Sequence, residues 1–182
     1  MATEPTSAFK RHVYPICVLV LICGIAGSAL GYVHGMTQPK IDEAAAEKKQ
    51  STFESLVDTA TDFEEQDIKG DNVTTSVIAK DADDQELARI YVGQGTGYGG
   101  IVPVAVAVDT EGTVIGVTVM ANKETPGLGS KVESESYLDQ YVGRSLAPVT
   151  EDDVDLISGA TYSSEAVLSA FNACAREYEE AR

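Results

Sequence analysis

An uncharged apolar stretch near the N-terminus limits the possible folds of this chain more than any other feature. Residues 13–33 read VYPICVLVLICGIAGSALGYV, and no Asp, Glu, Lys or Arg occurs from Val13 to Pro39. This length matches the roughly 20 residues that a helix needs to cross the hydrocarbon of a bilayer. A cleaved signal peptide is the alternative, but its apolar region spans only about 7–15 residues. We therefore predict a retained transmembrane helix over 13–33.

The charges beside this segment predict its orientation. Lys10 and Arg11 directly precede it, whereas the next basic residue is Lys40, which Asp42 and Glu43 follow. Because cytoplasmic flanks carry the excess of Lys and Arg, we expect residues 1–12 in the cytoplasm. The chain would then cross the cell membrane once. It would continue outside the cytoplasm as a connecting helix over 34–62 and a domain over 63–182.

The composition of the rest of the chain excludes several functions. The net charge is −16, of which residues 1–40 contribute +2 and residues 41–182 contribute −18. Such a domain repels nucleic acid, although an acidic surface also simply promotes solubility. Cys17 and Cys23 lie in the apolar segment, Cys174 lies alone on a predicted helix, and there are two histidines. We expect no metal site and no nucleic acid partner.

Alternating and helical patterns after residue 40 predict an α+β domain. The predicted strands are NVTTSVIAK (72–80), ELARIYVGQ (86–94), IVPVAVAVD (101–109), TVIGVTVMA (113–121) and VDLI (154–157). The third and fourth are predicted to form a hairpin because a short turn with a glycine joins them. Helices are predicted over 34–62, 130–142 and from Ser163 or Ser164 to Glu180. We expect a mostly antiparallel sheet with helices packed against it.

Three loops rich in small residues lie between these elements: GQGTGYGG (93–100), NKETPGLGS (122–130) and SGATYSS (158–164). Tight turns alone explain many such loops, since glycine adopts turn conformations without steric cost. However, the first loop presents Tyr98 among five glycines, and the second presents Leu128 after a Pro-Gly turn. These side chains are suited to contact a flat ligand.

Thr161 lies where the third loop meets the last predicted helix. Free backbone N–H groups and the helix dipole favour an anion at a helix start. The sequence has no P-loop motif, and no nearby histidine is available to activate Thr161 as a nucleophile. Two interpretations stay open. Thr161 either caps the helix with its side chain or carries a phosphate that is attached to it.

Three motifs resemble those of the FMN-binding domain family. DLISGAT (155–161) resembles the flavinylation motif D-x-x-[ST]-G-A-T, ETPGLG (124–129) resembles a second signature of these domains, and GYGG (97–100) resembles a third element. In this family a separate flavin transferase links FMN through its phosphate to the threonine. The resemblance therefore implies a phosphodiester bond between FMN and Thr161. Within the family, the chain resembles the G subunits of Rnf complexes, and it also resembles the usually longer C subunits of sodium-pumping NADH:quinone reductases.

The resemblance also implies which residues surround the flavin. Ser158, Gly159, Ala160 and Tyr162 would hold the corner that carries the phosphate. The ring would lie against Leu128 and the backbone of the ETPGLG segment, with Tyr98 on its other side. The implied FMN-binding residues of the first two loops are Tyr98, Gly99, Glu124, Thr125, Gly127, Leu128, Gly129 and Lys131. Lys123 or Lys131 would stabilise the reduced, anionic flavin, unless both are simply solvated surface charges.

By resemblance, the chain is an electron-transfer subunit of a ferredoxin:NAD⁺ oxidoreductase complex that translocates Na⁺ or H⁺. Its FMN would relay electrons between partner membrane subunits that carry an iron–sulfur centre and a second flavin. The complex is an enzyme, a translocase, but this subunit would hold no complete active site. Two alternatives are a standalone membrane-anchored flavin carrier and a tethered binding module without redox activity.

Overall fold

The structure, a computed structural model, describes residues 6–68, 70 and 72–182, with side chains from residue 14 onward. Its first helix, α1 (Thr6–Leu56), is uninterrupted and includes the predicted transmembrane segment. Among the described residues, one helical stretch, Tyr14–Leu56, is long and apolar enough to cross a membrane. The chain divides into two compact units, with the boundary between Lys48 and Lys49. The predicted connecting helix ends earlier than expected, at Leu56 rather than at residue 62.

The second unit is built on a five-stranded sheet whose neighbouring strands are all antiparallel, in the order β1-β2-β3-β4-β5. This arrangement confirms the predicted α+β class. The strands are β1 (Asp62–Asp67), β2 (Val73–Lys80), β3 (Glu86–Thr96), β4 (Ile101–Asp109) and β5 (Val114–Val119). The predicted hairpin of residues 101–121 is the pair β4 and β5.

Strand β1 is absent from the sequence prediction. Its sequence DFEEQD has four acidic residues among six, and five of its residues are exposed. It therefore lacks the alternation of apolar and polar residues that marks a half-buried strand. The segment is a strand because it pairs with β2 at the edge of the sheet, from Asp62 opposite Lys80 to Asp67 opposite Thr75. Acidic side chains on such an edge oppose pairing with other chains.

The two faces of the sheet carry separate apolar clusters because successive side chains of a strand point to opposite faces. On β4, Val102, Val104, Val106 and Val108 join the cluster that the last helix, α3 (Thr161–Glu180), covers. Ala105 and Ala107 join the other cluster, which Phe53 and Val57 cover. We call these the α3 face and the α1 face.

Two predictions for residues 130–157 are wrong. The predicted helix 130–142 is a 3₁₀ turn (Gly129–Glu133), a single helical turn α2 (Glu135–Leu138) and a second 3₁₀ turn (Asp139–Tyr141). Extended backbone at Ser134, with ψ of 137°, separates the first two pieces. The apolar side chains that suggested a helix are nevertheless buried, since Val132, Leu138 and Tyr141 join the α3-face cluster.

The predicted strand 154–157 is irregular because side chains, rather than a neighbouring strand, bind its backbone. The Asp155 N–H donates to Gln140 Oε1 at 2.7 Å, and the Ile157 N–H donates to Ser164 Oγ at 3.1 Å. These bonds hold the segment beside the start of α3. That helix begins at Thr161, two residues before the earliest predicted start.

Candidate functional site

The start of α3 is reached through a sharp turn. Gly159 has φ of +81°, a conformation that favours glycine, and Ala160 follows as the residue that precedes the helix. No side chain caps this helix end. The Ser164 N–H donates a hydrogen bond to the Ala160 carbonyl oxygen at 2.9 Å. Thr161 is thus the first helical residue, which argues against its predicted alternative role as an N-cap. Its side chain is exposed.

A cleft lies directly at this helix start and is formed by all three loops predicted from the sequence. Its volume is about 210 Å³. The exposed side chains of Tyr98 and Tyr162, with 79% and 69% of their surface accessible, and the half-exposed Leu128 provide apolar walls. The residues that line the cleft are Tyr98, Glu124, Thr125, Leu128, Gly129, Gly159, Ala160, Thr161, Tyr162 and Ser163.

Glu124, one of the residues that line the cleft, connects the three loops through hydrogen bonds. Its side chain is only 7% exposed. One carboxylate oxygen, Oε1, accepts a hydrogen bond from the Gly99 N–H at 2.7 Å, and the other, Oε2, accepts one from the Ser163 hydroxyl at 2.5 Å. A buried carboxylate requires such donors, since burial without them is costly. A single side chain therefore fixes the first loop and the start of α3 against the second loop.

Two glycines of β3 set how closely α3 approaches the sheet. A Cβ atom at Gly93 would collide with the Ala170 carbonyl oxygen, and one at Gly95 would collide with the Ala166 carbonyl oxygen. The first glycine-rich loop was predicted to begin at residue 93, but β3 continues to Thr96. These glycines are thus strand residues that admit the helix backbone, and they position the start of α3 at the end of β3.

Tyrosines below the helix start support it from within the domain. The Tyr137 hydroxyl donates to the Ser164 carbonyl at 3.3 Å and lies 3.4 Å from the Tyr141 hydroxyl. Burial raises the pKa of Tyr141 well above its ordinary value, and the hydrogen bond with Tyr137 acts in the same direction. Tyr141 in turn packs on Phe171, with ring centroids 4.9 Å apart.

The structure brings most of the predicted site residues together but not all of them. Ser158, Gly99 and Gly127 do not line the cleft, although Gly99 binds Glu124 and the Gly127 N–H donates to Ser130 Oγ. Lys131 is exposed and lines a different depression, beside Gln140 and Asp155. Neither Lys123 nor Lys131 is among the residues that line the cleft.

Ser163 is the residue that the sequence analysis missed. It lies in the third loop, two residues after Thr161, but nothing in its sequence context indicates a bond to a carboxylate 39 residues away. Its buried position, with 2% of the side chain exposed, follows from the inward-facing side of the first turn of α3.

An apolar cleft at an uncapped helix start suits a flat, anionic ligand, and the family comparison names its class. Residues 97–176, which include all three motifs, match the FMN-binding domain family. The match confirms the resemblance that the three motifs suggested.

Curated relatives extend this similarity over most of the chain. The G subunit of the Na⁺-translocating ferredoxin:NAD⁺ oxidoreductase complex of Acetobacterium woodii is 26% identical over 186 residues, which cover 89% of each chain. The C subunit of the Na⁺-translocating NADH-quinone reductase of Vibrio parahaemolyticus is 33% identical over 72% of this chain and 60% of its own. Among solved structures, the C subunit of the Na⁺-translocating NADH-quinone reductase from Parabacteroides distasonis shares the fold. Its TM-score is 0.50, with 20% identity over 66% of this chain and 77% of that chain.

Proposed function

We propose that this chain is an electron-transfer subunit of a membrane-bound, ion-translocating oxidoreductase complex of the Rnf type, and that it carries FMN on Thr161. One observation carries the proposal. The three loops that resemble FMN-binding motifs converge on one cleft, and the exposed Thr161 hydroxyl lies at the uncapped helix start in that cleft. The names of the relatives support the assignment to such a complex.

The residues present fit the phosphate end of FMN. The first amides of α3 lack a side-chain cap, and the helix dipole places partial positive charge at the same point. A phosphate linked to the Thr161 oxygen would accept hydrogen bonds from these amides and would thereby cap the helix. Gly159, with its positive φ, brings the chain into this corner. By the resemblance to the family, Thr161 is expected to receive the group from a separate flavin transferase.

The residues also fit the ring end of FMN. Leu128, Tyr98 and Tyr162 supply apolar and aromatic surface on which a flat ring can pack. A volume of about 210 Å³ is below the roughly 300–1,000 Å³ of pockets that enclose a ligand, so part of the group would remain exposed. When bound, FMN supplies one- and two-electron transfer. An exposed ring edge suits a subunit that exchanges electrons with neighbouring subunits rather than with a soluble substrate.

The N-terminal helix supports a location at the cell membrane. Its apolar window has a mean hydropathy of 2.4 and none of it is buried. The positions of Lys10 and Arg11 favour a cytoplasmic N-terminus and an FMN-binding domain outside the cytoplasm. The covalent bond would keep the site loaded there, where little free FMN is available. Electrons would pass between partner subunits that carry an iron–sulfur centre and a second flavin.

Flavin fluorescence after denaturation tests the proposal. The full chain is purified in detergent from a host that contains a flavin transferase, denatured, separated on a gel and illuminated. We expect a fluorescent wild-type band and a dark Thr161→Ala band, because the substitution removes the oxygen that forms the bond. Ser169→Ala is the matched control, since it removes an exposed hydroxyl further along α3 but leaves the attachment point, and its band should remain fluorescent. A dark wild-type band would contradict the proposal.

Co-purification tests the assignment to a complex. The tagged chain is extracted from native membranes in mild detergent and its partners are identified by mass spectrometry. We expect multi-span membrane subunits, including one that carries an iron–sulfur centre. Recovery of a fluorescent chain without such partners would instead indicate a standalone flavin carrier.

A further inference from the structure

We propose that Glu124 lowers the reduction potential of the flavin by placing a buried negative charge beside it. The inference rests on the proposed function, because it concerns FMN held in the cleft at Thr161. It assigns to Glu124 an electrostatic role in addition to its structural one. It also reverses the electrostatic effect predicted from the sequence, in which Lys123 or Lys131 stabilised the reduced flavin.

The first support is the composition of the cleft. Among its ten lining residues, Glu124 is the only carboxylate, and none is Lys, Arg or His. The side chains of Lys123 and Lys131 are exposed, where water and salt screen their charges. The charge that a ring in this cleft experiences most strongly is therefore negative.

The second support is how the carboxylate is held. Its hydrogen bonds come from the Gly99 N–H and the Ser163 hydroxyl, both neutral donors. None of the ion pairs among the described residues involves Glu124. Gly97 and Gly129 pack against the same carboxylate oxygens, where a Cβ on either residue would collide with them. Neutral donors stabilise the carboxylate without cancelling its charge, and close packing excludes the water that would screen it.

The consequence for the flavin follows from electrostatics. Reduction adds electrons to the ring, and a nearby negative charge raises the free energy of the more negative, reduced form. Glu124 thus acts on the electronic properties of the cofactor, which is the contribution that a protein makes to the chemistry of a bound flavin. With a lower potential, the bound flavin is a stronger electron donor to the next redox centre.

The matched substitution is Glu124→Gln, which removes the charge but retains both contacts. The glutamine Oε1 can accept from the Gly99 N–H, and its Nε2 can donate to the Ser163 oxygen. We expect the midpoint potential of the bound FMN to rise, with about a tenfold larger equilibrium constant for two-electron reduction, which corresponds to about 30 mV. Glu133→Gln is the control, because it makes the same change at an exposed position and should leave the potential unchanged.

Ser163→Ala separates the electrostatic role from a structural one. This substitution keeps the charge but removes the hydroxyl that stabilises it, so the potential should fall, opposite to the effect of Glu124→Gln. A purely structural role would leave the potential unchanged in Glu124→Gln, which retains both contacts, and would change it only in Ser163→Ala, which loses one.

The experiment uses the full chain, loaded with FMN and purified in detergent, and measures potentials by spectroelectrochemical titration. A rise for Glu124→Gln together with a fall for Ser163→Ala supports the inference. An unchanged or lowered potential in Glu124→Gln overturns it. If that variant takes up no FMN, Ser163→Ala decides, since a fall supports the inference and any other result overturns it. A wild-type chain without FMN contradicts the proposed function itself, which distinguishes the two failures.

Discussion

The two faces of the sheet differ in what covers them and in what they do. On the α3 face, large residues such as Tyr91, Tyr141 and Phe171 fill the space below the helix. On the α1 face, Ala79, Ala88, Ala105 and Ala107 provide much of the surface on which Phe53 and Val57 pack. The three loops that line the cleft all lie at the start of α3. The site therefore depends on the packing of the α3 face, because small movements of α3 would displace Thr161.

Removing one aromatic ring from each face should have the largest effect on stability. Phe53→Ala and Phe171→Ala each delete a fully buried ring, so each should lower the free energy of unfolding by about 3–5 kcal/mol. Only Phe171→Ala should also reduce the flavin fluorescence of the purified chain, since Phe171 lies in α3 and supports Tyr141. Urea denaturation and the gel assay measure the two quantities. Equal loss of flavin in both variants would show that the faces contribute equally to the site.

Adding a single methyl group to each face should have a smaller effect. In Gly95→Ala the new Cβ meets the carbonyl of Ala166, which belongs to the backbone of α3 and cannot move alone. We expect a loss of about 1–3 kcal/mol. In Gly116→Ala the new Cβ meets the Cδ2 end of the Leu56 side chain, which can rotate away, and the change should be below about 1 kcal/mol. Thermal melting compares the two variants. A larger loss of stability for Gly116→Ala would show that the α1 face, rather than the α3 face, tolerates an added methyl group less well.

Alkaline pH should modestly lower the stability that packing on the α3 face contributes. Burial raises the pKa of Cys174 from 9.0 to about 12, and burial also raises the pKa of Tyr91 and Tyr141. A raised pKa means that the fold favours the neutral thiol. The contribution of the neutral Cys174 thiol to stability is therefore complete below about pH 9 and is lost as the pH rises toward 12.

The test is the urea midpoint of unfolding, measured from about pH 8 to about pH 11. It should fall over this range, and it should fall less steeply in Cys174→Ala, which lacks the thiol. A midpoint that is independent of pH would contradict the prediction. The buried members of the α1-face cluster include no titratable group, so alkaline pH has no corresponding effect there.

Much of the fold could be predicted because it depends on local patterns. The strands β2 to β5 alternate or run apolar, and α3 has a continuous apolar stripe from Val167 to Tyr178. Segment 130–142 misled the prediction because its apolar spacing also suits a series of short turns. β1 was missed because its pairing with β2, rather than its own composition, makes it a strand.

The site could be predicted only in part. The motifs indicated Thr161, Leu128 and Tyr98, each of which lines the cleft. The link from Glu124 to Ser163 could not be predicted, since the two residues are 39 positions apart and their contact depends on how α3 packs against the second loop. Lys123 and Lys131 were predicted near the ring because they flank the second loop in the sequence, but neither is among the residues that line the cleft.

The sequence by itself determined the apolar helix, the alternating strands, the last helix and the identity of the three loops. Each depends on residues that are neighbours along the chain, so spacing and composition suffice. Only the tertiary structure decided that the loops meet at one cleft, that Glu124 is buried between Gly99 and Ser163, and that the helix start at Thr161 is uncapped. These features arise because α3 packs on the glycines of β3 and thereby brings distant segments into contact.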